Sequence, residues 1–450
     1  MGAITLQQAA QWCGGRINPK YKDVTFFGAN NDTRKLEAGQ LFVALQGVRD
    51  GHEFIPAALQ KGAAAVLCTH CDGDYPAIVV EDTRIALGDI ARGERQRLGC
   101  KVVGITGSVG KSTTKEMTAC VLSSTYRVGK SPVNHNNDIG MPMSILALPD
   151  DTQVAVLEMG MNHFGEIAYL SGIARPDVAV IVNIGTMHIE HLGSREGILQ
   201  AKLEILEGME KSGTVILNGD EPLLWNLHST MKGIRYFGKQ NSQCSLLGTN
   251  VKCADGAVSF RVEYENTTMN ICLPIEGEHY VEDALAAVAV GLRLGVSPEN
   301  IEKSLGAFEN MQDRQEIYRV GEYTIIKDCY NAGPESMAAA LAVLGSKTGR
   351  KVAVLGEMLE LGDCTAAEHY KVGRIAAEKA DVVFAYGPNS ERVLMGAITG
   401  GMSDTRVSAY EDRDRLVAAL KQQTRPGDVL LFKGSRGMRM EQILEAFLHE

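Results

Sequence analysis

Short apolar runs alternate with amphipathic segments from residue 101 onward. Lys101–Thr106, Val154–Leu157 and Val178–Val182 are continuous runs of four to six mainly apolar residues. Runs of this length suit strands that are buried on both faces of a parallel sheet. Because helical segments separate them, the pattern predicts an α/β domain.

The same alternation returns in a third region that begins near Asp313. Its predicted strands are Tyr323–Lys327, Val352–Leu355, Val382–Tyr386 and Val429–Phe432. Its predicted helices are Glu335–Leu344, Ala366–Lys379, Arg413–Lys421 and Met440–Leu448. This order predicts a second parallel sheet of the dinucleotide-fold type.

The first 98 residues have a less regular pattern. Strand-like stretches at Asp23–Phe27, Leu41–Leu45, Ala63–Cys68 and Ala77–Val80 are separated by turn-rich segments and a short helix that begins near Ala57. A chain of 450 residues is long enough for two or three domains. We therefore expect a mixed α/β N-terminal domain ahead of the two sheets.

Composition and charge argue against several classes of protein. The chain carries 45 Lys and Arg against 55 Asp and Glu, a net charge of −10, which argues against sequence-independent nucleic-acid binding. We see no apolar run of the length that a membrane span needs and no secretory signal, so we expect a cytoplasmic protein.

The ten cysteines are too sparse for a disulfide framework. Cys68 and Cys71 form a C-x-x-C pair, which could belong to a metal or redox site. A structural zinc site needs four ligands, and no second C-x-x-C pair exists. We therefore favour ordinary reduced thiols.

A glycine-rich segment, Thr106-Gly-Ser-Val-Gly-Lys-Ser-Thr113, lies between a predicted buried strand and a predicted helix. Its backbone N–H groups and the helix N-terminus can face a phosphate, Lys111 can reach the β and γ oxygens, and Ser112 can bind Mg²⁺. Ile105 occupies the first glycine position of the usual phosphate-loop pattern. The alternative is a glycine-rich β–α turn with a solvated lysine.

Two further side chains lie at the ends of the following strands. Glu158 ends the run Val154–Leu157, at the edge where open α/β sheets bind ligands, and its carboxylate can hold Mg²⁺. Its alternative role is a charge at a helix N-terminus. His188 lies on a loop at the same edge, where a structural histidine is the more ordinary interpretation.

Lys202 lies within a predicted helix near Glu196–Met209. Apolar residues at 198, 199, 205, 206 and 209 form one helical stripe, and position 202 lies in its middle. Such a lysine snorkels, pairs or loses its charge. A neutral amine can react with carbon dioxide to give a carbamate, which is an anionic metal ligand.

In order along the chain, these residues resemble the signature of the Mur ligases, ATP-dependent amide-forming enzymes of cell-wall precursor synthesis. The matching residues are Thr106–Thr113, Asn137 with Ile139-Gly140, Glu158, His188, Lys202, Asp313-Arg314 and the string Lys327–Met337. The resemblance spans the whole chain. The strings Asn31–Arg34, Leu355–Gly362 and Lys433–Glu441 extend it.

The resemblance implies three domains and assigns a ligand to each. Residues 1–98 would bind a UDP-sugar, 99–312 would be a P-loop ATPase-type domain, and 313–450 would be a Rossmann-like domain that brings the amine and closes over ATP. The implied reaction joins D-alanyl-D-alanine to UDP-N-acetylmuramoyl-tripeptide through an acyl phosphate. The implied protein is a monomer. The resemblance does not decide whether the third residue of the tripeptide is diaminopimelate or lysine.

The resemblance also assigns residues to the implied site. Lys111, His188, Lys202 and Arg314 would be catalytic. ATP would contact Thr106, Gly107, Ser108, Val109, Gly110, Lys111, Ser112, Thr113, Asn137, Tyr280, Arg314 and Asp328. The UDP-sugar would contact Asp32, Thr33 and Arg34, and the amine Asn331 and Pro334. Two Mg²⁺ ions would be held by Ser112, Glu158, His188 and carbamylated Lys202.

Three positions depart from the family pattern. In the string His279–Ala287, Tyr280 and Asp283 replace two asparagines, and Tyr280 could stack on the adenine base. Gly333 replaces an asparagine near the implied amine site.

Three other functions fit the sequence less well. A sister ligase for another amino acid and a folylpolyglutamate-type ligase are disfavoured by the string Tyr330–Met337. A nucleotide switch of the GTPase class should carry an N-K-x-D string, and the sequence has none.

Overall fold

The computed structural model describes residues 2–254 and 256–449. Its α/β character confirms the fold class expected from the sequence. By its internal contacts the chain divides into two compact units. The first comprises Met1–Val182, Leu199–Leu246 and Ala284–Ser304, and the second comprises Asn183–Ile198, Leu247–Asp283 and Leu305–Glu450.

The N-terminal region, within the first unit, contains short strands and three helices. Its strands are β1 Ile4–Thr5, β2 Arg16–Ile17, β3 Thr25–Phe26, β4 Ala29–Asn30, β5 Leu41–Val43, β6 Ala65–Cys68 and β7 Ala77–Val79. Its helices are α1 Leu6–Cys13, α2 Ile55–Gln60 and α3 Thr83–Leu98. Five strands form a sheet in the order β2-β7-β6-β5-β4, in which only β2 is antiparallel to its neighbour.

Local signals explain where these helices begin and end. The side chain of Asp82 accepts hydrogen bonds from the first turn of α3, and Gly99 ends that helix with a φ of 61°. Thr5 and Gln8 form a reciprocal capping box on α1. Capping of this kind satisfies N–H groups that have no partner within the helix.

The middle region contains the elements that carry the phosphate loop. Its strands are β8 Lys101–Thr106, β9 Val128–Lys130, β10 Val154–Glu158, β11 Val178–Ile181, β12 Thr214–Asn218, β13 Arg235–Gly238, β14 Leu246–Ala254, β15 Ala257–Tyr264 and β16 Thr267–Leu273. Its helices are α4 Lys111–Ser123, α5 Gly140–Leu146, α6 Glu166–Ala174, α7 Ile189–Leu192, α8 Arg195–Leu203, α9 Pro222–Trp225, α10 Tyr280–Arg293 and α11 Pro298–Gly306.

In the first unit, parallel strands of this region run in the order β13-β12-β11-β8-β10-β9. The chain continues from β8 toward one edge and then returns to place β11 on the other side of β8. The carboxyl ends of β8, β10 and β11 therefore meet at a switch point of the strand order, where open α/β sheets bind ligands. In the second unit, β15 pairs antiparallel with β16.

The C-terminal region, within the second unit, forms a six-stranded sheet. Its strands are β17 Glu316–Val320, β18 Tyr323–Asp328, β19 Lys351–Gly356, β20 Val382–Tyr386, β21 Val407–Tyr410 and β22 Val429–Lys433. Its helices are α12 Pro334–Ser346, α13 Thr365–Lys379, α14 Ser390–Thr399, α15 Arg413–Gln423 and α16 Met440–Leu448. The order is β17-β18-β22-β19-β20-β21, with apolar clusters on both faces.

Two details differ from the sequence predictions. Edge strand β17 is antiparallel to β18, so the C-terminal sheet is not purely parallel. The helix predicted near Glu196–Met209 ends at Leu203 and continues as a 3-10 turn. Ser171 explains this end, because its hydroxyl donates to the Ile205 carbonyl (2.5 Å) and accepts from the N–H of Gly208 (3.1 Å).

Two glycines allow helices α13 and α14 to pack closely. A Cβ atom at Gly373 would overlap the carbonyl oxygen of Val393, and one at Gly396 would overlap that of Tyr370. The backbones therefore touch at both crossing points. By contrast, a Cβ atom at Gly172, in helix α6, would meet nothing within 4 Å.

We predict that Gly373→Ala lowers the melting temperature, because the added methyl group forces the two helices apart. Overpacking of this kind costs about 1–3 kcal/mol. Gly172→Ala is the matched control and should leave stability unchanged or raise it by about 0.5–1 kcal/mol, because alanine is the better helix former. Thermal unfolding of both variants checks this, and equal melting temperatures would contradict it.

Candidate active site

The predicted phosphate loop, Thr106–Thr113, joins strand β8 to helix α4 in the first unit. Gly110 has a φ of 80°, which permits the tight turn that starts α4 at Lys111. The Lys111 ammonium donates to the carbonyl oxygens of Gly107 (2.8 Å) and Ser108 (3.1 Å). The loop and its lysine thus form one compact cationic unit at the helix N-terminus, where an anion is favoured.

Glu158 lies beside this loop, at the carboxyl end of β10. The Ser112 hydroxyl donates to one carboxylate oxygen (2.7 Å), and the Asn136 amide donates to the other (2.8 Å). Glu158 is only 3% exposed. A buried carboxylate next to a hydroxyl presents the hard oxygen ligands that Mg²⁺ prefers.

The sequence analysis assigned Asn137 to ATP and gave no role to its neighbour Asn136. The side-chain oxygen of Asn137 accepts from the N–H groups of Gly140 (2.8 Å) and Ile139 (3.3 Å), so it shapes the turn before α5. Asn136 is the residue that contacts Glu158. The Asn-Asn pair in the sequence was the available signal, but the sequence does not indicate which of the two side chains faces the carboxylate.

Lys202 is buried in the first unit, on the helix that follows the His188 loop. It is 2% exposed. Of the five residues in the predicted apolar stripe, Ile198 and Ile205 are fully buried, whereas Leu199, Leu206 and Met209 are partly buried. Desolvation by burial lowers the pKa of the Lys202 amine well below its usual value, and the positive charge of Lys111 lowers it further. A buried lysine in such surroundings loses its proton readily.

His188 belongs to the second unit, where it contacts Glu360. Nδ1 of His188 lies 2.7 Å from a carboxylate oxygen of Glu360, a contact that is an ion pair when the imidazole is protonated. The bond to His188 lowers the pKa of Glu360. Both residues have left-handed backbone conformations, with φ values of 65° and 64°. Such values are uncommon outside glycine and often accompany functional sites.

The C-terminal residues predicted for nucleotide and amine binding lie at the carboxyl ends of β18 and β22. Asp328 pairs with Lys433 at 2.6 Å, and Lys433 also donates to the Asn331 carbonyl (3.0 Å). Pro334 begins helix α12. Sequence reasoning did not assign a role to Lys433, although the string that starts with it was part of the resemblance.

Arg314 and Tyr280 are also in the second unit. The Arg314 guanidinium lies 4.2 Å from the ring centre of Tyr330, a cation–π contact. Tyr280 is 4% exposed, and burial raises the pKa of its hydroxyl above the usual value. Its ring packs on His279 at 4.1 Å.

The residues predicted for the UDP-sugar lie in a turn after strand β4. The Arg34 guanidinium donates two hydrogen bonds, of 2.9 and 2.8 Å, to the Asp32 carboxylate. These bonds lower the pKa of Asp32 to about 2. Thr33 lies between them in the same turn. Nearby in sequence, His52 bridges Asp50 and the N–H of Thr69, at 2.6 and 2.9 Å.

The ten cysteines are all free thiols, including Cys68 and Cys71. Among the described residues, no cluster of three or more His, Cys, Asp or Glu side chains could hold a metal ion. None of the described helices is long and apolar enough to span a membrane.

Known proteins match this chain along its length. Family models match at residues 26–95 (Mur ligase family, catalytic domain), 105–291 (Mur ligase middle domain) and 313–436 (Mur ligase, glutamate ligase domain). The UDP-N-acetylmuramoyl-tripeptide–D-alanyl-D-alanine ligase of Bacillus subtilis is 42% identical, covering 98% of this chain and 97% of the relative. The chain belongs to the Mur ligase family.

Solved Mur ligase structures share the fold. A crystal structure of MurF from Acinetobacter baumannii has a TM-score of 0.92 at 33% identity and covers all of both chains. The structure of MurF ligase from Thermotoga maritima in complex with ADP has a TM-score of 0.83 at 29% identity, covering 94% of this chain and 97% of that one. As a Mur ligase, this protein is an ATP-dependent enzyme that forms carbon–nitrogen bonds.

We predict that Lys202→Met raises the melting temperature of this Mur ligase at neutral pH, and that the gain shrinks as pH rises. The folded pKa of Lys202 lies below its unfolded value of 10.5, so between the two values the unfolded chain binds the extra proton. The loss of stability that Lys202 causes is therefore largest below its folded pKa and disappears as pH approaches 10.5. Melting curves from pH 6 to 10 in buffer free of carbon dioxide, where the side chain stays an amine, check this, and a difference independent of pH would contradict it.

Proposed function

We propose that this Mur ligase joins D-alanyl-D-alanine to UDP-N-acetylmuramoyl-tripeptide, giving UDP-N-acetylmuramoyl-pentapeptide, ADP and phosphate in peptidoglycan precursor synthesis. One observation carries the proposal. A phosphate loop with its buried Ser112–Glu158 contact occurs in a chain that spans nearly the full length of a ligase with this name. The ADP complex of the Thermotoga maritima relative supports ATP as the nucleotide.

The chemical problem is that a carboxylate is a poor electrophile. Transfer of the γ-phosphoryl group of ATP to the terminal carboxylate of the tripeptide gives an acyl phosphate and ADP. The amine of D-alanyl-D-alanine then attacks the acyl carbon, the amide bond forms, and phosphate leaves. The first step brings two anions together, so cationic groups must offset their repulsion.

Lys111 is the group of this chain that we assign to that task. Its ammonium is held at the start of α4 by two loop carbonyls, beside the N–H groups that would surround the phosphates. The loop residues Thr106 to Thr113 would hold the phosphates. We assign Arg314 to the phosphate charge and Asp328 to the nucleotide from the C-terminal side.

Mg²⁺ fits the oxygen pair of Ser112 and Glu158. Both side chains are buried, they lie 2.7 Å apart, and both offer oxygen atoms. A bound ion would supply charge neutralisation at the phosphates. His188 belongs to the other unit and contacts Glu360, so a second ion on His188 and Lys202 stays a prediction.

The outer parts of the chain would hold the two other substrates. We assign Asp32, Thr33 and Arg34 to the UDP-sugar and Asn331 and Pro334 to the amine. The three family-model matches fall within residues 1–98, 99–312 and 313–450, which supports three domains with those limits. A monomer in the cytoplasm is our working proposal, and ten free thiols are consistent with that compartment.

We also propose that Lys202 works as a carbamate. Burial favours the neutral amine, the form that reacts with carbon dioxide to give the carbamate and a proton. The carbamate anion would then lie near the positive charge of Lys111. This would replace a neutral amine beside a cation with an attractive pair of opposite charges.

The test of the function is ATP-dependent product formation from D-alanyl-D-alanine with each UDP-tripeptide, containing either diaminopimelate or lysine. A ligase should consume ATP only when both the acyl and the amine substrates are present. ATP hydrolysis without them would favour a nucleotide switch. Product with another amino acid, and none with the dipeptide, would favour a sister ligase.

We predict that Lys111→Ala lowers the ligation rate by on the order of 10²–10³-fold or more, because it removes the cation that faces the phosphates. Lys101→Ala, at the exposed start of β8, is the matched control and should retain activity. Initial rates at saturating ATP measure the effect, and circular dichroism checks that the fold is intact. Near-wild-type turnover of Lys111→Ala would show that the phosphate-loop assignment is wrong.

We predict that Lys202→Arg is nearly inactive, since arginine keeps its charge and forms no carbamate. Lys202→Ala should also be inactive but should regain activity with a short carboxylic acid such as acetate. A readout independent of activity is ¹³C NMR in labelled bicarbonate, where wild type should give a carbamate resonance that Lys202→Arg lacks. Full activity of Lys202→Arg, with no resonance in wild type, would reject the carbamate.

A further inference from the structure

The loop that carries His188 leaves the end of strand β11 but belongs to the second unit. Asn183–Ile198 groups with the C-terminal residues, whereas the strand before it groups with the first unit. Residues of the C-terminal region contact this loop at four positions. The way it is held decides where His188 lies.

Glu335 makes the first of these contacts. One of its carboxylate oxygens accepts from both the backbone N–H (2.9 Å) and the hydroxyl (3.1 Å) of Thr186. Glu335 lies in the first turn of helix α12, next to Pro334. A single acceptor thus fixes the backbone of the loop two residues before His188.

Met187 makes the second contact, against Gly333. A Cβ atom at Gly333 would lie 2.8 Å from Cγ and 3.1 Å from the sulfur of Met187. The φ of Gly333 is −146°, which any residue adopts, so the constraint is space rather than backbone conformation. The glycine that departs from the family pattern is therefore the partner of a bulky loop residue.

The loop continues with two more contacts to one short segment. His188 pairs with Glu360, and Gly362 lies under Glu190, where an added Cβ would be 3.0 Å from the Glu190 Cβ. Four contacts at positions 186, 187, 188 and 190 leave the loop little freedom to shift.

We propose that Glu335 and Gly333 are positioning residues for the ligation reaction, which hold the loop so that His188 is presented from the C-terminal part of the protein. This inference rests on the proposed function for the role of His188. It adds that the loop is set by one acceptor oxygen at 335 and by the absence of a side chain at 333. Neither residue needs to touch substrate.

The first experiment compares Glu335→Ala with Glu335→Gln. Alanine removes the acceptor oxygen, whereas glutamine keeps an amide oxygen that can accept both Thr186 bonds. Because small misplacements of reacting groups are costly, kcat of Glu335→Ala should fall by roughly 10²-fold. Its KM for ATP should change little, and Glu335→Gln should retain most of the rate.

Glu299→Ala is the matched control. Helix α11 begins with Pro298 and Glu299, the same Pro-Glu start as α12, and Glu299 is exposed. This variant removes an equivalent first-turn carboxylate without touching the loop, so it should keep wild-type kcat. If Glu335→Ala retained kcat within about threefold of wild type, or if glutamine were as damaging as alanine, the proposal would be overturned.

Hydrogen exchange of the free protein separates this inference from the function itself. Peptides that span 183–192 should exchange faster in Glu335→Ala than in wild type and in Glu335→Gln. Unchanged exchange would overturn the positioning role whatever the enzyme catalyses. A wild type that fails to ligate, with the exchange result intact, would instead reject the proposed function.

The second experiment tests the space at 333. Gly333→Asn restores the family residue and should lower kcat, because the new side chain displaces Met187. Met187→Ala in the same chain should recover activity and loop protection by making room. Wild-type kcat in Gly333→Asn would overturn this half of the proposal, and so would a double variant no better than the single one.

Discussion

A buried carboxylate beside the phosphate loop is the constraint on which this Mur ligase site depends. Glu158 is held by Ser112 on one oxygen and by Asn136 on the other, and its backbone N–H donates to Ser131. A buried charge of this kind is stable only when hydrogen bonds surround it. The strand ends and turns that supply those bonds are therefore fixed relative to one another.

Burial and a nearby positive charge together determine the protonation state of Lys202. A lysine and the loop cation Lys111 act on each other in a buried site, and both burial and repulsion favour the neutral amine. A chemical change that makes the amine anionic would remove the conflict. The carbamate proposed above would be such a change.

The C-terminal part of the chain positions its predicted site residues through single hydrogen bonds and ion pairs. The Lys433 ammonium contacts both the Asp328 carboxylate and the Asn331 carbonyl, and α12 begins three residues after Asn331. The same helix start offers Glu335 to the loop that carries His188. A change in this helix would therefore affect both the predicted amine site and the loop.

The sequence alone determined the α/β class, the approximate limits of the strands that it predicted in the two later regions, and the glycine-rich turn between β8 and α4, because buried parallel strands and glycine-rich turns are local patterns. Only the tertiary structure decided which groups meet. Asn136 rather than Asn137 contacts Glu158, and His188 pairs with Glu360, 172 residues away in sequence (360 − 188). Such pairings follow from chain packing, and no local spacing encodes them.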